Sequence, residues 1–124
     1  MSLQPELAEH IEQAFPGRLA APPQVAQDAL TLILDNGVML TVHYAADDAY
    51  SLRWRTGLGP DAAEMGIDTA PTHPGLATAP NHLHLDDGRV VPDPVTRVGA
   101  KPAANLAALV EALLHDPLLK DKTA

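Results

Sequence analysis

The chain has 124 residues, 46% of them hydrophobic and 19% charged, enough for one globular domain and too few for two ordinary ones, so 1–124 is expected to be a single domain. Sixteen acidic residues against eight basic ones leave a formal charge of −8. Such a surface repels a polyanion overall, which argues against non-specific coating of DNA or RNA while leaving a local site open.

There is no cysteine, so disulfides, thiolate zinc sites, iron–sulfur clusters and cysteine nucleophiles are excluded together. The Met1-Ser2-Leu3-Gln4 start lacks a basic and then apolar leader, and no apolar run approaches the length of about 18 residues that a membrane span needs. A cytoplasmic protein of prokaryotic type, with no membrane partner, is expected.

Pro5 to Phe15 reads as a first helix, with Ser2 as cap, Glu6 and Glu9 near the N-terminal dipole, and Leu7, Ile11 and Phe15 on one face. Pro16-Gly17 stops it, and 18–27 is expected to be an irregular connector. Residues 28–45 read as a hairpin around Asp35-Asn36-Gly37, in which Asn-Gly would supply the two positive φ values of a type I′ turn. Leu40, Val42 and Tyr44 share one face of its second strand. In 49–55 the alternation puts Tyr50, Leu52 and Trp54 inward and Ser51, Arg53 and Arg55 outward.

Residues 56–63 read as a loop, and 64–68 as a short strand with Met65 and Ile67 inward. The proline- and glycine-rich run 70–81 excludes a regular element. Residues 82–85 and 89–91 then pair across the turn Asp86-Asp87-Gly88. Ala103 to His115 carries a wide apolar stripe of Leu106, Leu109, Val110, Leu113 and Leu114, a strong helix pattern, and the tail after Asp116-Pro117 is expected to fray. The fold class expected is α+β, a single antiparallel sheet of five or six strands with an N-terminal and a C-terminal helix on one face.

Three of the six histidines fall within twelve positions: His73, His82 and His84. On a strand, the period of two places His82 and His84 on one face. His-x-His can present two nitrogens to a metal, with Asp68, Asp86 or His73 as third ligand, or serve acid–base chemistry. The bland alternative is that these rings only bond backbone carbonyls. His10, His43 and His115 have ordinary surface or helix-end readings. Arg53 and Arg55 share a strand face and could clamp a phosphate or carboxylate, or merely pair with neighbouring aspartates. No phosphate-binding glycine loop, serine-hydrolase elbow or zinc-protease helix is present, and the residues specify no cofactor.

The run from Asp68 to His84 resembles the TumE-like toxin family, small proteins encoded beside a helix-turn-helix antitoxin. That family's pattern runs Arg-aromatic-Asp-Asn-Ala-Pro-His-His-Pro, a short spacer, then Thr-Phe-Pro-His-His-Lys-His, after a Tyr-x-x-x-Trp strand that matches Tyr50 to Trp54. Asp68, Ala70, Pro71, His73, Pro74, Leu76, Thr78, Pro80, His82 and His84 agree with it. Gly66 stands at the family's Arg, Thr69 at its Asn, and Thr72 at its first His. Ala79 stands at its Phe, Asn81 at its third His, Leu83 at its Lys, and Arg53 at the His before Trp.

The resemblance implies a toxin-like effector of a two-gene module, with a helix-turn-helix antitoxin-like partner; a homodimer is left open. If such an effector cleaves RNA, His73, His82, His84 and Asp68 would form the catalytic cluster, and Arg53 and Arg55 would hold the phosphate. Two other readings compete: a non-catalytic protein-binding module, and a small metal-dependent enzyme built on His-x-His. The long loop ending at His84 is expected to be ordered and to bring His73 to His82 or His84, with Asp68 orienting one imidazole.

Overall fold

The structure, a computed structural model, describes residues 3–123. The elements are α1 (Gln4–Ala14), β1 (Gln24–Val25), β2 (Leu30–Ile33), β3 (Met39–Ala46), β4 (Ala49–Arg55), β5 (Glu64–Asp68), β6 (His82–His84), β7 (Val90–Pro92), α2 (Pro102–His115) and α3 (Lys120–Thr123). The strands form one sheet in sequential order, every neighbouring pair antiparallel. Short connections between most consecutive strands favour this meander, because each strand meets its partner before the chain has travelled far; the longer links are 56–63 and 69–81.

The class is the expected α+β, but the sheet has seven strands rather than five or six. The additional one is β1, in the segment expected to be irregular. Pro22 and Pro23 lack N–H donors, yet the two residues after them pair with Thr31 and Leu30 at the sheet edge, the position where a short proline-flanked strand is tolerated.

Period-two alternation gives the sheet two unlike faces. Leu30, Val42, Leu52, Ile67 and Leu83 lie in one register row and are all buried, as is the neighbouring row Leu32, Leu40, Trp54 and Met65. Leu7 and Ile11 of α1 join the same core cluster, as do Leu106, Leu109, Val110 and Leu113 of α2. With few aromatics available, aliphatic side chains on this face supply most of the core. Ser2, expected to cap α1, lies outside the described residues.

The hairpin between β2 and β3 does not use a type I′ turn. Leu34 N–H donates to the Val38 carbonyl and Gly37 N–H to the Leu34 carbonyl, at 2.9 and 3.0 Å. The loop is therefore the three residues Asp35-Asn36-Gly37, and only Gly37 (φ 90°) takes positive φ, the pattern of a tight turn closed by a glycine bulge. Asn36 instead uses its side chain: Nδ2 donates to the Leu113 carbonyl at 2.9 Å and Oδ1 accepts from Val38 N–H at 3.3 Å.

The tail does not fray. Leu119 is fully buried, Lys120–Thr123 form a helical turn, and the Trp54 indole N–H donates to the Pro117 carbonyl at 2.9 Å. Among the described residues no helix is long and apolar enough to cross a membrane.

Candidate functional site

The opposite face of the sheet is polar, and its register decides which groups meet. One row runs His43, Ser51, Asp68, His82; the next runs Thr41, Arg53, Gly66, His84. Asp68 thus stands directly across from His82 and diagonally from His84, within side-chain reach of both.

Asp68 Oδ1 lies 2.9 Å from His82 Nε2, and Oδ2 lies 3.1 Å from His84 Nε2. The backbone N–H of Ala70 donates to Oδ1 at 3.0 Å, so the carboxylate is held from its own strand end as well. The other nitrogen of His82, Nδ1, lies 3.0 Å from the Pro80 carbonyl oxygen. His82 is 1% exposed, whereas the His84 side chain is 43% exposed: the first is a fixed internal part and the second can meet a ligand.

His73 arrives from the loop. Its ring centroid is 4.8 Å from that of His82 and 6.3 Å from that of His84, and the His82 and His84 rings are 4.7 Å apart. The loop is ordered without sheet pairing because it is a chain of tight turns. Leu76, Ala79 and Asn81 N–H groups donate to the carbonyls of His73, Leu76 and Thr78, at 3.2, 3.1 and 2.9 Å.

Arg53 lines a cavity of about 240 Å3 together with Glu64, Met65, Gly66, Asp68 and His84. A Cβ on Gly66 would come 3.3 Å from Arg53 Cγ and 3.4 Å from the Leu52 carbonyl oxygen. The bare glycine therefore lets the arginine stem lie flat across the strand pair. Arg55 does not line this cavity; its Nη2 donates to the Gly59 carbonyl at 3.1 Å. A larger cavity of about 750 Å3, between Phe15, α2 and the tail, contains none of the cluster. His43 Nδ1 sits 2.9 Å from the Asp28 carbonyl oxygen, a local contact away from the cluster.

Sequence reasoning missed a buried polar chain beside the cluster. Asn81 Nδ2 donates to the Tyr50 hydroxyl at 2.7 Å, that hydroxyl is 2.8 Å from Thr96 Oγ1, and Thr96 Oγ1 donates in a very short bond to Asp93 Oδ2. Asp93 Oδ1 accepts from the Val95 and Thr96 N–H groups at 2.8 and 3.0 Å. Burial pushes the Tyr50 hydroxyl above its ordinary pKa of 10.0, so it stays protonated and can relay the bond polarity along the chain. The available signal was Asp-Pro-Val-Thr at 93–96, an aspartate placed to cap its own turn.

No curated protein and no solved structure matches the chain significantly. The family model described as Toxin TumE does match, over residues 7–116. That span takes in most of α1, all seven strands and α2, and on it the chain belongs to the TumE toxin family.

Proposed function

We propose that this chain, as the toxin of a toxin–antitoxin module, acts on RNA at the polar sheet face. Its partner in this reading is a helix-turn-helix antitoxin-like protein, and its place of action is the prokaryotic cytoplasm. The observation that carries the reading is the meeting of His82 and His84 on one carboxylate with the His73 ring beside them, and Arg53 in the adjoining cavity.

Phosphodiester transesterification needs a proton acceptor, a proton donor and a cation for the phosphate. The 2′-oxygen bonds to phosphorus as the bond to the 5′-oxygen breaks. One imidazole takes the 2′-hydroxyl proton and another supplies a proton to the leaving oxygen. His73 and His84 are the imidazoles with solvent access, Asp68 and the buried His82 position them, Arg53 binds the reacting phosphate, and Arg55, on the same face, reaches a flanking one. A site with two arginines suits one short segment of single strand, consistent with the acidity of the rest of the chain.

The test is induced expression of the chain alone. Growth arrest is expected, relieved by co-expression of the antitoxin encoded beside it and by His84→Ala or Arg53→Ala at unchanged protein level. RNA from arrested cells should carry new 2′,3′-cyclic phosphate ends. Arrest that persists in both variants, or that occurs without new ends, would overturn the proposal.

A further inference from the structure

The hydrogen bonding of His82 is electrically incomplete. A neutral imidazole has one N–H to donate, yet both ring nitrogens of this buried residue face oxygen acceptors, the Pro80 carbonyl at 3.0 Å and Asp68 Oδ1 at 2.9 Å. His84 turns its Nε2 to the other carboxylate oxygen. Two imidazole nitrogens thus converge on one carboxylate, and among the described residues no lysine or arginine forms an ion pair with Asp68. A cation between these three groups would give each of the facing lone pairs a partner.

We infer that Asp68, His82 and His84 form a binding site for a divalent first-row metal ion of the zinc class. One ligand atom from each lies within 4.8 Å of the others. Two neutral imidazoles and a carboxylate are the donor set that zinc and its neighbours accept, whereas magnesium and calcium favour oxygen alone. The Pro80 contact has the form that metal-bound histidines show: the nitrogen away from the ion donates to a backbone carbonyl, which fixes the tautomer and aims the other lone pair inward. The Ala70 N–H on Asp68 Oδ1 steadies the third ligand in the same way.

Hydrogen-bond distances of 2.9 and 3.1 Å are shorter than the roughly 3.4 Å between ligand atoms around a tetrahedral ion with bonds of about 2.0–2.1 Å. Binding therefore asks the carboxylate to withdraw by a few tenths of an ångström and the widest pair of ligand atoms, up to 4.8 Å apart, to close by about 1 Å or more, which the half-exposed His84 ring can supply by turning. Three protein ligands leave a position open to water. His73, whose ring is 4.8 Å from His82, is left outside the three-ligand set. The inference rests on the cluster and not on the RNA reading, and the two give His84 different roles, because a ring nitrogen bound to an ion cannot take up a proton.

The test uses the full chain after treatment with a chelator, titrated with Co2+ and watched by visible d–d absorption, then with Zn2+ by calorimetry. Binding of about one equivalent per chain is expected, with zinc displacing cobalt. Asp68→Asn and His84→Gln should each lose about tenfold or more in affinity with unchanged circular dichroism. A variant lacking His10, His43 and His115 should bind as the parent does. Imidazole 15N spectra of the unmodified chain give a readout independent of any variant: zinc should shift Nε2 of His82 and His84 while His82 Nδ1 keeps its proton. Equal affinity in parent, Asp68→Asn and His84→Gln, or no shift at those two nitrogens, would overturn the inference. Growth arrest by a chain that binds no metal would overturn it and leave the RNA reading standing; metal binding without RNA cleavage would do the reverse.

Discussion

Gly37 and Asn36 divide the work of one turn in a way that single substitutions can separate. Gly37 holds φ 90°, and a Cβ added there would have nothing within 4 Å, so a larger residue meets backbone strain and not a clash. Gly37→Val should cost about 1 kcal/mol or more. Asn36 is outside the positive-φ region, so Asn36→Ala loses only the bonds to Leu113 and Val38, about 1 kcal/mol, and Asn36→Gly gains nothing from backbone relief. Chemical denaturation of the three variants checks this; a stabilising Asn36→Gly would point back to a two-residue turn. The identities at 35–37 signalled a turn with a glycine at positive φ, but the choice between two and three loop residues lies in the pairing of Leu34 with Val38, which no local preference decides.

At the level of elements, the tail after α2 is the part least visible in the sequence. Leu119 sits at φ 53°, a conformation that leucine adopts at a cost, and it is held there by complete burial. Leu119→Ala should therefore destabilise the chain by about 2–5 kcal/mol in thermal or urea unfolding, where a frayed tail predicts no change. The docking is expected to weaken in acid. The Asp121 N–H donates to the Asp116 carboxylate at 3.1 Å and holds its pKa below the ordinary 3.8. A carboxylate with a lowered folded pKa contributes stability above its unfolded value, and that contribution is lost as pH falls through the folded one. Trp54, the single tryptophan, reports on it through its bond to Pro117. Its emission should shift to the red as Asp116 is protonated, and Asp116→Ala should show the shifted emission already at neutral pH.

Across the molecule as a whole, a charge of −8 and a cationic site of one or two arginines set how RNA binding responds to salt. Each phosphate neutralised on a single strand contributes about −0.7 to the slope of log K against log salt. Binding at Arg53 and Arg55 predicts a slope of about −0.7 to −1.4, near −0.7 in Arg55→Ala. Fluorescence anisotropy with a short labelled RNA measures it. A slope several times steeper would place RNA on another surface and remove these arginines from the site.

Residue spacing was enough to establish the alternation of β3, β4 and β5, the apolar stripes of α1 and α2, and the pairing of His82 and His84 on one strand face. These depend on spacing within a single element, where backbone geometry alone assigns the face. The family-like run also marked Asp68 and His73 as companions of that pair. It took the packed chain to show that β1 joins the sheet, that the tail docks through Leu119, and that Asn81, Tyr50, Thr96 and Asp93 close into one buried chain. Packing also separated two histidines of like spacing into a buried His82 between two acceptors and a half-exposed His84. Each of these outcomes joins residues distant in sequence, and their contact free energy exists only once the sheet register has brought them within reach.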